Sequence, residues 1–553
     1  MNTGEVVVAR PREGSSFVTG DAVNVAARLE QAAEPDEIVV GERTVAAGRG
    51  AFEFGEPATI DAKGKAQAVE CRRLLTPISL MRPRGVSGLG RAFVGRDAEL
   101  TVLEQAYADA AVSGAARLVT VVGEAGVGKT RLVRELWDRL AQRSPEPLRR
   151  VGRCLPYGDG ITYWPLAEIL KEHFGIFEDD PAELVLDRLA GHEILGLSLG
   201  LDVAGDLHPL AVRDRFQDAW VEFLRSAARD RPAVVLVEDA HWSEDPLLNL
   251  LERLARDVDA PLLLIVTGRP ELIDRRPGWG VAGMTLNLDA LSADDSTRML
   301  GDLLSGPLPG GLEEVVVANA EGKPFFVEEL LATLIDRGFL QRSNGDWLLA
   351  ELPPGFAVPD TVHAVLAARI DLLADAEKQA LQAAAVIGRI FWTGPLYELV
   401  GDAVPDLDVL EGRGFVRRRP TSSFAGEREY AITHALTREV AYASLAKARR
   451  ARLHAGVAAW LERTGGGRDE HAALLAHHLA EAVRPEDADL AWAGDEAELE
   501  RQRKHAGLWL RRAAHLAVGR YELDDGIALL GGPSALSRRT KRCSSAPSSV
   551  SRR

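Results

Sequence analysis

Leu118–Val122 reads LVTVV, an apolar, β-rich run that feeds directly into GEAGVGKT at Gly123–Thr130 and then into RLVRELWDRL. The spacing G-x-x-x-x-G-K-T, with a strand before it and a helix after it, limits the fold more than any other feature of the chain. Glycines let the backbone curl so that successive N–H groups face one centre, and the following helix adds partial positive charge at its N-terminus. Such a loop cradles phosphate. Gly123, Gly126 and Gly128 shape it, Lys129 is placed to reach the β- and γ-phosphates, and Thr130 to ligate the Mg2+ that accompanies ATP or ADP.

Two further apolar runs fit the same scheme. Val234–Val237 ends in Glu238–Asp239, where one carboxylate can hold magnesium and the other can position water; which does which is open. PLLLIVTGRPEL ends in Thr267–Gly268–Arg269, and a cation at a strand's carboxyl end points into the crevice where open α/β sheets bind ligands. Strand, turn and helix alternate from Ala92 to about residue 288. That pattern implies a parallel sheet covered by helices, the core of a P-loop NTPase.

A chain of 553 residues exceeds one hydrophobic core, so several domains are expected. Residues 1–75 carry short β-rich runs (Glu5–Ala9, Glu37–Val40, Ala68–Leu74) and a helical stretch, Asp21–Ala33. Residues 76–91 are rich in Pro, Gly and Ser and read as a linker. After the α/β segment at 92–288, helical periodicity dominates 289–350. A mixed helix-and-strand segment occupies 351–465, and an Ala/Leu-rich helical one 466–530. Residues 531–553 lose their apolar periodicity and read as a disordered tail.

The net charge of −16 argues against a general nucleic-acid coat, since phosphate neutralisation needs clustered cations. The three cysteines, Cys71, Cys154 and Cys543, lie far apart, which fits a reducing cytoplasm and neither a disulfide framework nor a zinc site. No run of about 18 apolar residues is present to span a membrane. The basic runs Arg417–Arg419 and Lys447–His454 are expected to be solvated faces, with a DNA-binding surface as the alternative. His477–His478 lacks metal-ligand spacing.

Together these motifs resemble the STAND class of signal-transduction ATPases, in the bacterial form where an AAA-like module follows a class III nucleotidyl cyclase domain. FVGRDAEL, Phe93–Leu100, resembles the family's opening motif, which implies that Val94 and Gly95 lie against the adenine. His241–Trp242 after the acidic strand, and GRCLPYGDGITYWPL at Gly152–Leu166, match in order. EGKPFFVEELL, Glu321–Leu331, resembles the lid motif and implies a nucleotide-facing Pro324. ITHALTREVAY, Ile432–Tyr442, resembles the winged-helix segment and implies that His434 senses the β-phosphate of ADP. The helices from Glu470 onward resemble the start of a tetratricopeptide array. One departure is Glu238, where the family more often has Asp. The resemblance implies slow Mg-dependent hydrolysis and a two-state switch, closed with ADP and open with ATP. It also implies self-oligomerisation in the ATP form and an inducer, protein or small molecule, on the helical repeats.

TGDAVNVAARLEQAAEPDEIVVGE, Thr19–Glu42, resembles the latter half of a class III adenylate/guanylate cyclase domain. By that resemblance Asn24 and Arg28 match the pair that stabilises the transition state, and Lys63 a lysine on the triphosphate. The family's metal-binding aspartates have no counterpart here, and Phe17 stands at the base-selecting position. Without two carboxylates no clamp exists for the catalytic metals. An inactive remnant or a truncated reading frame is therefore expected at this end, and truncation or a frameshift at the other. The alternatives to the switch are a cyclase completed by an upstream segment and a winged-helix transcription regulator.

Overall fold

The computed structural model describes residues 7–8, 18–19, 21–33, 37–41, 44–45, 52–55, 57–60, 69–77, 93–156, 162–178, 180–205, 207–281, 283–343, 346–350, 361–401, 405–419, 422–424, 427–464 and 471–537. The chain divides into two compact units, Met1–Arg84 and Gly85–Arg553.

In the first unit β1 (Val7–Val8) pairs antiparallel with β2 (Val18–Thr19). The helix Asp21–Ala32 packs on a sheet built from β3 (Val39–Gly41), β4 (Phe52–Phe54), β5 (Ala58–Ile60) and β6 (Val69–Pro77). β6 is the antiparallel partner of the other three. The small core gathers Val25, Leu29, Val39 and Cys71, and each of the three β-rich runs contains a strand.

The second unit is centred on a five-stranded parallel sheet: β7 (Arg117–Val122), β8 (Leu148–Arg153), β9 (Ala233–Glu238), β10 (Leu262–Gly268) and β11 (Met284–Asn287), in spatial order β11-β7-β10-β9-β8. β10 lies between the phosphate-loop strand and the acidic strand, with Ile265 opposite Val119 on one side and Leu236 on the other. Every residue of β9 and β10 is buried. Helices cover both faces of such a sheet, and that is why these strands read as unbroken apolar runs rather than alternating ones. Gly152 marks a close approach on β8. A Cβ there would lie 2.2 Å from the Pro165 carbonyl oxygen, at the start of the helix Trp164–Phe174.

Beyond the sheet come the helices Ala293–Leu304, Leu312–Ala320 and Pro324–Asp336, which share one apolar core. The segment dominated by helical periodicity also contains an antiparallel strand pair, β12 (Leu340–Ser343) with β13 (Asp346–Leu349). Residues 361–464 then form a smaller module in which helices surround a three-stranded antiparallel sheet. Its strands are β14 (Ile390–Trp392), β15 (Val416–Arg418) and β16 (Glu429–Ile432), in order β14-β16-β15. The helices Ala472–Ala482, Pro485–Ala491, Glu496–Gly519 and Leu523–Ser537 follow and pack largely on their neighbours in sequence.

The last of these runs into the stretch expected to be structureless. Gly531 and Gly532 lower helix propensity by roughly 1 kcal/mol each without forbidding helical dihedrals, and Ser534–Ser537 continues the helix. The expectation of disorder from residue 531 is corrected to that extent; residues 538–553 lie outside the described residues.

The segment after β8 ties the sheet to the C-terminal modules. Glu178 is buried with Lys171 at 2.6 Å and His471 at 3.2 Å, and its N–H donates to the Ser423 carbonyl at 2.7 Å. Lys171 and His471 together hold its carboxyl well below the usual carboxylate range against the cost of burial. Arg520, paired with Glu522 at 2.9 Å, lies over the Tyr163 ring. No helix among the described residues is long and apolar enough to cross a membrane.

Candidate nucleotide-binding site

β7 delivers the chain into the glycine loop, where Gly126 and Gly128 hold φ of 84° and 106°, left-handed values that side chains with a Cβ disfavour. Gly128 caps the helix Lys129–Leu140, whose first turn includes Thr130. Lys129 Nζ donates to the carbonyls of Gly123 (2.5 Å) and Glu124 (2.9 Å), so its ammonium is folded over the cradle. Burial, aided by the Arg269 charge and opposed by Asp239, lowers the Lys129 pKa to about 8.

The loop is closed from one side by the helix that Pro324 opens. Phe325 N–H donates to the Gly126 carbonyl at 3.2 Å, and its Cβ would stand 3.1 Å from a Cβ on Gly126. The Phe325 ring stacks on His434 with centroids 3.7 Å apart and planes 12° from parallel. His434 Nδ1 accepts the Leu436 N–H at 3.1 Å and so caps the helix Ala435–Ala443. Glycine loop, Pro324 and His434, separated by hundreds of residues, are thus one contiguous surface.

Val94 packs against the core of the three helices after β11. Gly95 has φ 68°, and a Cβ there would meet the Asp295 carboxylate at 2.8 Å. The residue that fastens this segment is Arg96, which reaches the carbonyls of Asp289 and Val127 and pairs with Glu99 at 2.9 Å.

The two acids at the end of β9 part company. Glu238 is buried and accepts from Arg153 Nε at 2.7 Å. Burial opposes the Arg153 charge, but Glu238 and Glu168 overcome it and raise its pKa above the ordinary value. Asp239 takes a left-handed conformation, φ 58°, rare outside glycine and common at functional sites. Its carboxylate accepts from Arg389 at 2.8 Å and its N–H donates to the Thr267 hydroxyl at 3.3 Å. Arg269 is paired with Glu439 at 2.8 Å. Asp239 and Arg269 are the charges felt most strongly by Lys129, and Glu238 is absent from that set. The two adjacent acids thus face different partners, Glu238 toward the arginines of β8 and the loop helix and Asp239 toward Arg389 and Thr267.

Beside Arg269 lies His241, both ring nitrogens buried without a hydrogen-bond partner among the described residues. Burial, then the charges of Arg269 and Lys129, lower its pKa to about 3, so the ring is neutral. Of the cyclase-like positions, Arg28 lies partly buried on the helix Asp21–Ala32. The Asn24 side chain and Lys63 lie outside the described residues.

Sequence reasoning missed Arg96, Arg153, Phe325, Arg389 and Glu439 as members of this surface. Arg96, Arg153, Phe325 and Glu439 each sit inside a motif quoted above, which was the available signal; Arg389 lies in no recognisable pattern. Much of the basic runs is engaged in internal pairs. Arg450 and Lys447 pair with Asp487 at 2.9 and 3.3 Å, Arg452 donates to the Ala491 carbonyl at 3.0 Å, and Arg419 is paired with Glu429.

Residues 92–266 match the AAA ATPase domain, so the chain carries a P-loop ATPase domain of that type. An uncharacterized protein of Rhizobium meliloti (strain 1021) is 26% identical over 515 residues, covering 84% of this chain and 47% of that protein. The chain spans about half the length of that curated relative. Among solved structures, the Aeropyrum pernix ORC1 protein in complex with DNA is 16% identical with a TM-score of 0.31, over 64% of this chain and 93% of that one. The Aeropyrum pernix ORC2 protein in ADPNP-ADP complexes gives 16%, 0.33, 64% and 95%. Domain III of the Thermotoga maritima replication initiator DnaA gives 12% and 0.25, over 44% and 87%.

Proposed function

We propose that this chain is an ATP-dependent regulatory switch of the STAND type, in which residues 361–464 act as a winged-helix-like clamp on the ATPase domain. One observation carries this reading. Two ion pairs, Arg389–Asp239 and Glu439–Arg269, both 2.8 Å, join that module to the two charged groups that weigh most on Lys129. A group captured by a salt bridge is not available to phosphate or to water, so the arrangement corresponds to an off state.

The donor set suits Mg-nucleotide. The left-handed glycines leave backbone room for phosphate, Lys129 already donates to oxygen acceptors, and Thr130 and Asp239 are the hard oxygen ligands magnesium prefers. Magnesium, when bound, neutralises charge on the phosphates. In this reading Lys129 binds the β/γ-phosphate, and Arg269 binds the γ-phosphate only after leaving Glu439. Asp239 holds metal or orients water after leaving Arg389. Glu238, held by Arg153, keeps β8 and β9 in register rather than ligating metal. Pro324 and Phe325 close the loop, and His434, stacked on Phe325, reports whether the diphosphate state is in place. Hydrolysis is slow because the clamp and the catalytic geometry exclude each other. The helices from residue 471 onward would receive the inducer, and release of the clamp would expose surface for self-association.

The test is the ratio of ATP to ADP affinity in the whole chain. Glu439→Gln and Arg389→Gln each raise ATP preference about fivefold, the worth of one partly exposed ion pair, and the double variant raises it further. An unchanged ratio in both single variants would sink the switch while leaving the ATPase assignment intact.

A further inference from the structure

Away from the loop, the end of β9 is surrounded by more positive charge than the proposed switch uses. Arg134 projects from the loop helix, Arg153 ends β8, Arg389 enters β14 and Arg417 sits in the middle of β15. Arg153 spends one donor on Glu238 and Arg389 one on Asp239, adjacent residues of one strand end. Arg134 is only 4% exposed, and its Nε is buried without a hydrogen-bond partner among the described residues. The guanidinium of Arg417, partly buried, makes no hydrogen bond or ion pair among the described residues.

Arg417 pairs in the sheet with Ala431, which on its other side pairs with Ile390, the residue after Arg389. The two arginines of the smaller module therefore come from neighbouring positions of one small sheet, and Arg389 and Arg153 hold adjacent carboxylates at the end of β9. Burial and then Arg134, Arg153 and Arg389 press the Arg417 pKa down to about 9, with Glu238 the one carboxylate among its leading neighbours. Arg134 is lowered by burial and by Arg131, against the opposing charges of Glu238, Asp138 and Glu328. Desolvated cations facing like charge are costly unless an anion joins them, and planar guanidinium forks match the oxygens of phosphate.

We propose that Arg134, Arg153, Arg389 and Arg417 form an oxyanion site of phosphate type at the seam between the ATPase domain and the 361–464 module, distinct from the glycine loop. Its occupant, free inorganic phosphate or the terminal phosphate of a nucleotide, bridges the two modules and stabilises their contact. The site stands on the unpartnered arginines and does not require the switch reading. Either can fail alone, since the switch is read by the ATP-to-ADP ratio and this site by phosphate at saturating ADP.

The experiment is a thermal-melting titration of the whole chain with inorganic phosphate, ADP and magnesium saturating and ionic strength held with chloride. Phosphate is expected to raise the midpoint, and Arg417→Met and Arg134→Met to weaken its apparent affinity at least tenfold. Without phosphate the same variants are expected to melt no lower than the natural chain, because each loses a cation repelled by its neighbours. A structural salt-bridge arginine gives the opposite sign. Lys129→Ala separates the sources: a phosphate response that survives there assigns free phosphate. A response replaced in the natural chain by an ATP-over-ADP preference that Arg417→Met removes assigns the terminal phosphate. No phosphate response and no such preference, or a response untouched in both methionine variants, overturns the site.

Discussion

The two faces that meet over the glycine loop were written into the sequence in different ways. The ATPase face is contiguous: Gly123–Thr130 is one loop, and Glu238–Asp239 and Arg269 end two fully buried strands. The opposing face is scattered: Pro324 and Phe325, Arg389, His434 and Glu439 come from separate elements. A phosphate cradle needs consecutive backbone N–H groups, so its residues cannot be dispersed. A clamp needs only side chains of the right charge at the right place, and any element can supply them. The first kind of site can be read from spacing and the second only from the fold.

The largest expected effect tests the contiguous face. Lys129→Ala removes a charge-assisted contact worth about 3 kcal/mol, so nucleotide affinity should fall on the order of 100-fold by titration calorimetry. Since the unliganded Lys129 titrates near pH 8 and phosphate binding requires its charged form, affinity in the natural chain should also decline about tenfold per pH unit above that value. Undiminished affinity at pH 9.5 would mean that Lys129 is not the phosphate contact.

Next in size is the packing that carries this face. Gly152→Ala would force a Cβ to within 2.2 Å of the Pro165 carbonyl. Backbone cannot yield as a side chain can, so a loss of about 3 kcal/mol is expected in denaturant unfolding. Gly175→Ala, with open space around its Cβ but φ 67°, should cost about 1 kcal/mol. Equal costs would mean that close approach does not decide the role of Gly152.

That the sheet is covered on both faces follows from residues that the sequence displays. Unbroken apolar runs at 118–122, 234–237 and 262–266 leave no polar face, so only a sheet covered on both sides accommodates them. The hairpin strands Leu340–Ser343 and Asp346–Leu349 were missed because LQRS and DWLL show no polar–apolar alternation and lie in a segment dominated by helical periodicity. The separation of Glu238 from Asp239 was not readable either. It depends on Arg153, 85 residues upstream, and on Arg389, 150 downstream, reaching adjacent carboxylates.

A pH-dependent effect distinguishes the clamp module from the sheet it covers. His454 and His478 are buried with Nδ1 atoms 2.8 Å apart, Tyr442 hydroxyl lies 2.9 Å from His454 Nε2, and His477 packs beside them. Burial, then their mutual charges and that of Arg438, push His454 and His478 well below the usual histidine pKa, and burial and Arg438 lower His477 to about 3. The unfolded chain takes up protons below about pH 6.5 that the folded chain refuses, His477 down to about 3 and His454 and His478 well below their ordinary value. Stability contributed by these rings is therefore fully present above 6.5 and should drop by about 1.4 kcal/mol per histidine for each pH unit below it. Hydrogen exchange should find the amides of 447–464 and 472–482 opening first on acidification, before those of β9 and β10. Simultaneous opening would mean that the module and the sheet unfold as one.

The smallest expected effect is also the most specific to the clamp. The Arg269–Glu439 pair has side chains 21% and 33% exposed, and the Arg389–Asp239 pair 18% and 24%. Screening lengths shrink from about 10 Å at 0.1 M salt to about 3 Å at 1 M, so partly exposed pairs weaken while buried ones hold. Raising salt should then favour ATP over ADP by about twofold in the natural chain. The Glu439→Gln, Arg389→Gln double variant has no pairs left to screen and should show no such shift. If the shift persists in the double variant, salt acts on the nucleotide phosphates and the scattered face does not set the preference.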